Sequence, residues 1–160
     1  MSRILVFDPS GNFDEGKGTS GWALFVDGKL NDFGEIASED YVAVELYWDA
    51  HRTLTEGLYP DIVVCESFKL NPAKAGAQSW SYLETPQLIG YLRMGCWHRG
   101  IEFITQDPST KVRFADEILE GLGIIEKRGK KYYCMNRETN LHKRDAIRHG
   151  IYYLKYGKKV

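Results

Sequence analysis

The chain has 160 residues, 43% hydrophobic and 27% charged, the balance of a folded globular protein rather than of a disordered, collagen-like or coiled-coil chain. It is long enough to bury a core and reads as one domain over residues 1–160, with no apolar run near the roughly 18 residues of a membrane span. The formal net charge of −1 conceals an asymmetry: residues 126–160 hold 11 Lys/Arg against 3 Asp/Glu, and the remainder holds 10 against 19. A basic end beside an acidic body suggests a polyanionic partner, although a solvated basic helix and tail would look the same.

Residues 3–7 form an apolar run of strand formers that stops at Asp8-Pro9-Ser10-Gly11, a turn sequence. Met-Ser-Arg followed so soon by Asp8 is not a signal peptide. Residues 9–20 read as a glycine-containing loop. Residues 20–26 read as a second strand, and Asp27-Gly28 as a hairpin turn into a third at residues 30–37. Helical periodicity follows over residues 40–57, with Val44, Tyr47, Trp48, His51 and Leu54 on one side. The continuous run Ile62-Val63-Val64-Cys65 is that of a strand buried on both faces, and it ends at Glu66.

Residues 69–81 read as a loop carrying Lys69 and Lys74. Thr85-Pro86 opens a helix that Gly100 stops after about residue 98, and residues 101–105 form a fifth strand. A helix is predicted from near Ser109 to Gly121 or Gly123. Residues 124–135 read as a short basic hairpin, and residues 140–156 as a last helix. Three strands, helix, strand, helix, strand and helices give an α/β fold, a mixed sheet flanked by helices. Cys65, Cys96 and Cys134 are widely spaced without a CxxC pair, so they read as small apolar residues of a cytoplasmic protein.

Three acids stand out by placement: Asp8 after the first strand, Glu66 after the fourth, and Asp145 in the last helix. Residues just beyond the carboxyl ends of neighbouring strands converge on one crevice. Carboxylates gathered there repel unless a cation offsets them, and hard oxygen donors suit magnesium or manganese. Taken singly, each acid has a plainer role, since Asp8 before Pro-Ser-Gly shapes turns and Asp145 is an ordinary helix residue. His142, three residues before Asp145, points from the same helix face.

The segments Ile4-Leu5-Val6-Phe7-Asp8-Pro9, Val63-Val64-Cys65-Glu66-Ser67-Phe68 and His142-Lys143-Arg144-Asp145-Ala146 resemble the RuvC-type Holliday junction resolvases, most closely their short bacteriophage versions. The resemblance implies a ribonuclease H-like five-stranded sheet, antiparallel across strands 1–3 and parallel across strands 1-4-5. It also implies a homodimer that makes paired nicks in branched DNA. Asp8, Glu66, Asp145 and His142 would then hold Mg2+ or Mn2+, two ions per site, for in-line hydrolysis that leaves a 5′-phosphate and a 3′-hydroxyl. Phe68 lies one position from where the family carries an aromatic wedge. A neutral His142 ligand would be lost on protonation below about pH 6.5.

The loop with Asp14 and Glu15 is longer than in the cellular enzymes, and the hairpin at residues 124–135 has no clear counterpart there. DNA is expected across Lys127, Arg128, Lys130 and Lys131 of the hairpin, Lys69 and Lys74, Lys111 and Arg113, with Lys143 and Arg144 near the phosphate. Phe68, Trp80 or Tyr82 would stack on bases, although Trp80 and Tyr82 fit a core equally well. Two other readings stay open: ribonuclease H-type cleavage of RNA–DNA hybrids, and a catalytically silent module that binds branched DNA. A nucleotide-binding half-domain of the actin or sugar-kinase kind would need a second lobe, for which 160 residues leave no room.

Overall fold

The structure is a computed structural model that describes residues 2–13, 17–70, 72–74 and 83–157, with Lys74 described by its backbone alone. The opening apolar run forms β1 (Arg3–Asp8), with alternate side chains on opposite faces. Ile4 and Val6 enter one apolar cluster and Leu5 and Phe7 the other. β2 (Thr19–Val26) and β3 (Lys29–Ala37) complete an antiparallel meander, turning at Asp27 and Gly28, both with positive φ. β4 (Ile62–Glu66) pairs in parallel with β1, and β5 (Glu102–Gln106) in parallel with β4. The sheet order is therefore β3-β2-β1-β4-β5, the mixed sheet that the resemblance implies.

Helices cover both faces. α1 (Val44–Leu58) buries Tyr47, His51 and Thr55, and α2 (Glu84–His98) buries Leu88, Ile89, Leu92 and Cys96; together they close the cluster around Leu5 and Phe7. On the opposite face, Leu119 of α3 (Asp116–Gly121) and Ala146 and Ile147 of α4 (Leu141–Tyr152) pack around Ile4 and Val6. The three cysteines are buried and free, as small apolar residues would be. No helix among the described residues is long and apolar enough to cross a membrane.

Three predicted elements differ in detail. The helix expected from Ser109 is broken: a 3-10 helix spans Pro108–Phe114, Ala115 is extended, and only then does α3 begin. Asp107 caps the first piece through the Ser109 amide at 2.9 Å, and the Phe114 carbonyl accepts from Arg148 Nε at 2.7 Å instead of from the next helical turn. The basic hairpin has a third strand, so β6 (Glu126–Arg128), β7 (Lys131–Cys134) and β8 (Arg137–Glu138) form a separate small sheet. The last helix widens after Tyr152 into a π-helical turn over Tyr153–Gly157.

α4 lies unusually close to the sheet because two contact points lack side chains. Gly21 pairs with Asp8 across the β1–β2 ladder, and a Cβ there would sit 1.9 Å from the His142 carbonyl oxygen. A Cβ on Gly150 would sit 2.1 Å from the Phe25 ring. Both approaches are possible only for glycine.

A buried polar network anchors the chain after Asp8. The His51 Nδ1–H donates to the Tyr47 carbonyl at 3.0 Å, which leaves Nε2 to accept from the Ser20 hydroxyl at 2.8 Å. Ser20 Oγ accepts from the Ser10 amide at 2.9 Å, and the Tyr47 hydroxyl donates to the Ser10 carbonyl at 2.6 Å. Trp48 Nε1 donates to the Gly11 carbonyl at 2.9 Å, and the Gly11 amide to Thr85 Oγ1 at 3.0 Å. The loop that leaves the first candidate acid is thus tied to α1, β2 and α2.

Two stability predictions follow from this packing. Replacing Gly21 by Ala should lower unfolding free energy by roughly 1–3 kcal/mol, since backbone must yield to the new methyl; an unchanged urea midpoint would show that α4 does not rest on this strand. Burial depresses His51 from 6.5 to about 4, so the folded chain keeps it neutral where the unfolded chain binds a proton. Its contribution is whole above pH 6.5 and is lost as pH falls towards 4, a total of roughly 3 kcal/mol. A His51→Gln protein should therefore lose markedly less stability than wild type between pH 7 and 4.5, and parallel losses in urea titrations would contradict this.

Candidate active site

Asp8 and Glu66 stand one residue beyond the Phe7–Cys65 pair, at the carboxyl ends of adjacent parallel strands. The apolar runs before them set both positions, because each strand stays buried until its last residue. α4 brings the third acid. It starts at Asn140, whose side chain caps the Lys143 amide at 2.9 Å, and its first turns pass over Gly21 to place Asp145 beside the strand ends. All three carboxylates are largely covered, with side chains 13%, 14% and 8% exposed for Asp8, Glu66 and Asp145.

Cationic and hydrogen-bonding side chains surround them. Lys111, from the 3-10 helix at Pro108–Phe114, places its ammonium 3.2 Å from Glu66 Oε2 and 3.4 Å from Asp145 Oδ2. Arg148 holds the other oxygen of Asp145 at 2.5 Å and also pairs with Asp116. His149 Nε2 lies 2.7 Å from Glu66 Oε2. Asp8 faces His142 instead, whose half-exposed ring stands 3.8 Å away.

Protonation follows from these partners. Desolvation raises Asp8 above the ordinary carboxylate value, repulsion from Glu66 and Asp145 adds to this, and the neighbouring His142 ring acts against it. Desolvation would raise Glu66 as well, but the His149 hydrogen bond and the Lys111 charge outweigh it, and its pKa is lowered. His142 is raised, chiefly by Asp8. Lys111 is raised because Glu66, Asp145 and Asp8 together outweigh its own burial.

Among the described residues, no group of three His, Cys, Asp or Glu side chains is arranged to hold a metal ion as it stands. The chemistry of the donor set still fits a hard divalent cation. Glu66 and Asp145 share the Lys111 ammonium as their counter-charge, and Asp8 lies near enough to both to be raised by their repulsion. The expected four positions, Asp8, Glu66, Asp145 and His142, are thus brought to one place, with His142 at its exposed edge.

The expected DNA-contacting residues fare differently. Lys111 stands in the acid cluster, against Glu66 and Asp145. Lys69 is exposed and paired with Asp107, and Phe68 is half-buried against the apolar cluster around Leu5 and Phe7. Arg113 is exposed with its guanidinium over the Tyr156 ring. In the small sheet, Lys127 lies over Tyr132, Arg128 over Tyr133 and beside Glu126, and Lys131 beside Glu138, while Lys130 is exposed at the turn.

Arg144 pairs with Asp116 at 2.9 Å, donates to Thr139 and stacks on Tyr132, so it ties α4 to α3 and the small sheet. Lys143 is half-buried in the first turn of α4. Asp14, Glu15, Trp80, Tyr82 and the Lys74 side chain lie outside the described residues. Arg148 and His149 were not among the expected site residues; their spacing of three and four from Asp145, on one helix, was the available signal.

No protein-family model matches the chain, and no curated protein matches it by sequence. Solved structures do match. The RuvC of T. thermophilus in complex with a Holliday junction substrate superposes with a TM-score of 0.66 at 12% identity, covering 99% of this chain and 98% of that one. A further Thermus thermophilus RuvC structure gives 0.63 at 14% identity, covering 97% and 96%. Over nearly its whole length, the chain has the fold of RuvC, of the ribonuclease H-like kind.

Proposed function

We propose that this protein is a structure-selective DNA endonuclease that resolves four-way junctions, and other branched DNA, by metal-dependent phosphodiester hydrolysis. The observation that carries the reading is the meeting of Asp8, Glu66 and Asp145 at one end of a RuvC-fold sheet, with the Lys111 ammonium between two of them. A fold alone would not assign an activity, but a buried acid cluster held together by counter-charge is a costly arrangement for structure only. Asp8, Glu66, Asp145 and His142 would hold the Mg2+ or Mn2+. When bound, such ions activate water and stabilise the leaving oxygen of a phosphodiester, giving a 5′-phosphate and a 3′-hydroxyl.

The chain's own residues set up that step. The strand ends fix Asp8 and Glu66, and α4 fixes Asp145. Lys111 neutralises the acids before substrate enters, and a phosphate brought to the same place competes for its ammonium. Lys143, in the first turn of α4, would meet a phosphate of the DNA backbone that passes that end of the helix. Lys127, Arg128, Lys130 and Lys131 extend from the sheet that leads directly into α4, so DNA crossing the site would meet them. Several of these cations already pair with Glu126 or Glu138, which makes their phosphate contacts an exchange of partners and moderates their worth.

Paired nicks across a junction need two active sites, and we propose a homodimer. α2 offers Met94 and Trp97, 51% and 71% exposed, as its apolar contact. Light scattering should report a dimer that Trp97→Glu converts to monomer.

The testing experiment is cleavage of end-labelled four-way junction, fork, linear duplex and RNA–DNA hybrid with Mg2+, Mn2+ or EDTA. Symmetric, metal-dependent nicks in the junction and none in linear duplex are expected. Cutting of the hybrid alone would make the protein a ribonuclease H, and binding without cutting in either metal would leave a silent module. Glu66→Gln should abolish cutting while junction binding persists. Lys130→Ala with Lys131→Ala should weaken junction binding and flatten its salt dependence by a slope of about 1–2; identical salt titrations would remove the small sheet from the DNA path.

A further inference from the structure

His149 is wholly buried in α4, and every polar atom of its ring is engaged. Nε2 stands 2.7 Å from Glu66 Oε2. A carboxylate can only accept, so the proton sits on Nε2. Nδ1 faces two donors, the Gln106 amide nitrogen and the Thr110 hydroxyl, each at 3.2 Å. The same Gln106 nitrogen donates to the His149 carbonyl at 2.9 Å, which fixes the amide's orientation. The ring therefore has one orientation and one tautomer, imposed from β5 and from the 3-10 helix that carries Lys111.

The neighbouring residue repeats the pattern. Arg148 Nη1 is 2.5 Å from Asp145 Oδ1, its Nε is 2.7 Å from the Phe114 carbonyl, and Nη2 pairs with Asp116. Two consecutive residues of one helix thus each grip one oxygen of a site carboxylate from behind. The remaining Asp145 oxygen faces Lys111, as does the Glu66 carboxylate. A histidine that merely filled a core would not spend its one directed proton on the acid at a strand end.

We propose that His149, with Arg148 beside it, is a positioning residue: it fixes the Glu66 carboxylate so that its free lone pairs face the mouth where a divalent cation replaces Lys111. The inference rests on the metal-dependent reading of the site. Loss of such an outer partner typically weakens metal affinity about tenfold to a hundredfold. His149→Met keeps the volume and removes the donor, whereas His149→Gln keeps a nitrogen donor at similar reach.

Calorimetric titration of the DNA-free protein with Mn2+ should show the Met variant binding at least about tenfold more weakly than wild type, with Gln restoring most of the loss. The Mg2+ concentration for half-maximal junction cleavage should rise in parallel, while turnover at saturating Mg2+ and junction affinity in EDTA stay near wild type. Equal Mn2+ affinity in wild type and both variants would overturn the proposal, as would lost turnover with unchanged metal dependence. Wild type gives an independent check should the variants unfold: its 15N-histidine spectrum should contain a buried ring with the proton on Nε2 that shifts when Mg2+ is added. A spectrum blind to Mg2+ would overturn the proposal too. A wild type that binds Mn2+ through His149-held Glu66 yet cuts no branched DNA would sink only the nuclease reading. Junction cleavage with an indifferent His149 would sink only this one.

Discussion

Three carboxylates drawn to the end of one sheet repel each other, and the surrounding structure is arranged to hold them there. The parallel pairing of β1 and β4 sets the backbones of Asp8 and Glu66 side by side at the strand ends. Asp145 is brought up by α4. Lys111, Arg148 and His149 then supply donors to Glu66 and Asp145. Asp8 is pushed up in pKa, first by its burial and then by repulsion from Glu66 and Asp145, against the pull of His142 and Lys111.

Close approach of α4 makes the arrangement possible. The helix can settle onto β1 and β2 because Gly21 and Gly150 remove side chains at the two points of contact. Gly21 is opposite Asp8 in the ladder, so the residue that admits the helix is the partner of the first acid. On the far face, the Ser10, Ser20, Tyr47 and His51 network secures the chain just after Asp8. The first acid is consequently held from both sides of the sheet, by packing on one and hydrogen bonds on the other.

The strands and both strand-end acids were legible because buried β runs are short, apolar and interrupted only where the chain leaves the core. Ile62-Val63-Val64-Cys65-Glu66 is such a run, and its break at an acid is informative. The order of the strands in the sheet was only what the resemblance implied. The broken helix at Ala115 was not legible, since its cause is the Arg148 contact with the Phe114 carbonyl, a partner 34 residues away. The third strand of the small sheet was hidden in two residues, Arg137 and Glu138, too few to show alternation. His149 and Arg148 read as ordinary helix residues until the helix is docked, because their partners come from β4, α3 and the 3-10 helix. The same limit applies to Lys111, which looks like a surface cation in sequence and stands inside the acid cluster.

We propose that Asp8, Glu66 and Asp145 take up a divalent cation where Lys111 now provides the charge. Crystals grown in Mn2+ and measured near the manganese absorption edge would test it most directly. The account predicts an anomalous peak within coordination distance of these carboxylates, with the Lys111 ammonium moved away and His149 still holding Glu66. No peak at the cluster in millimolar Mn2+, with Lys111 still between Glu66 and Asp145, would contradict it.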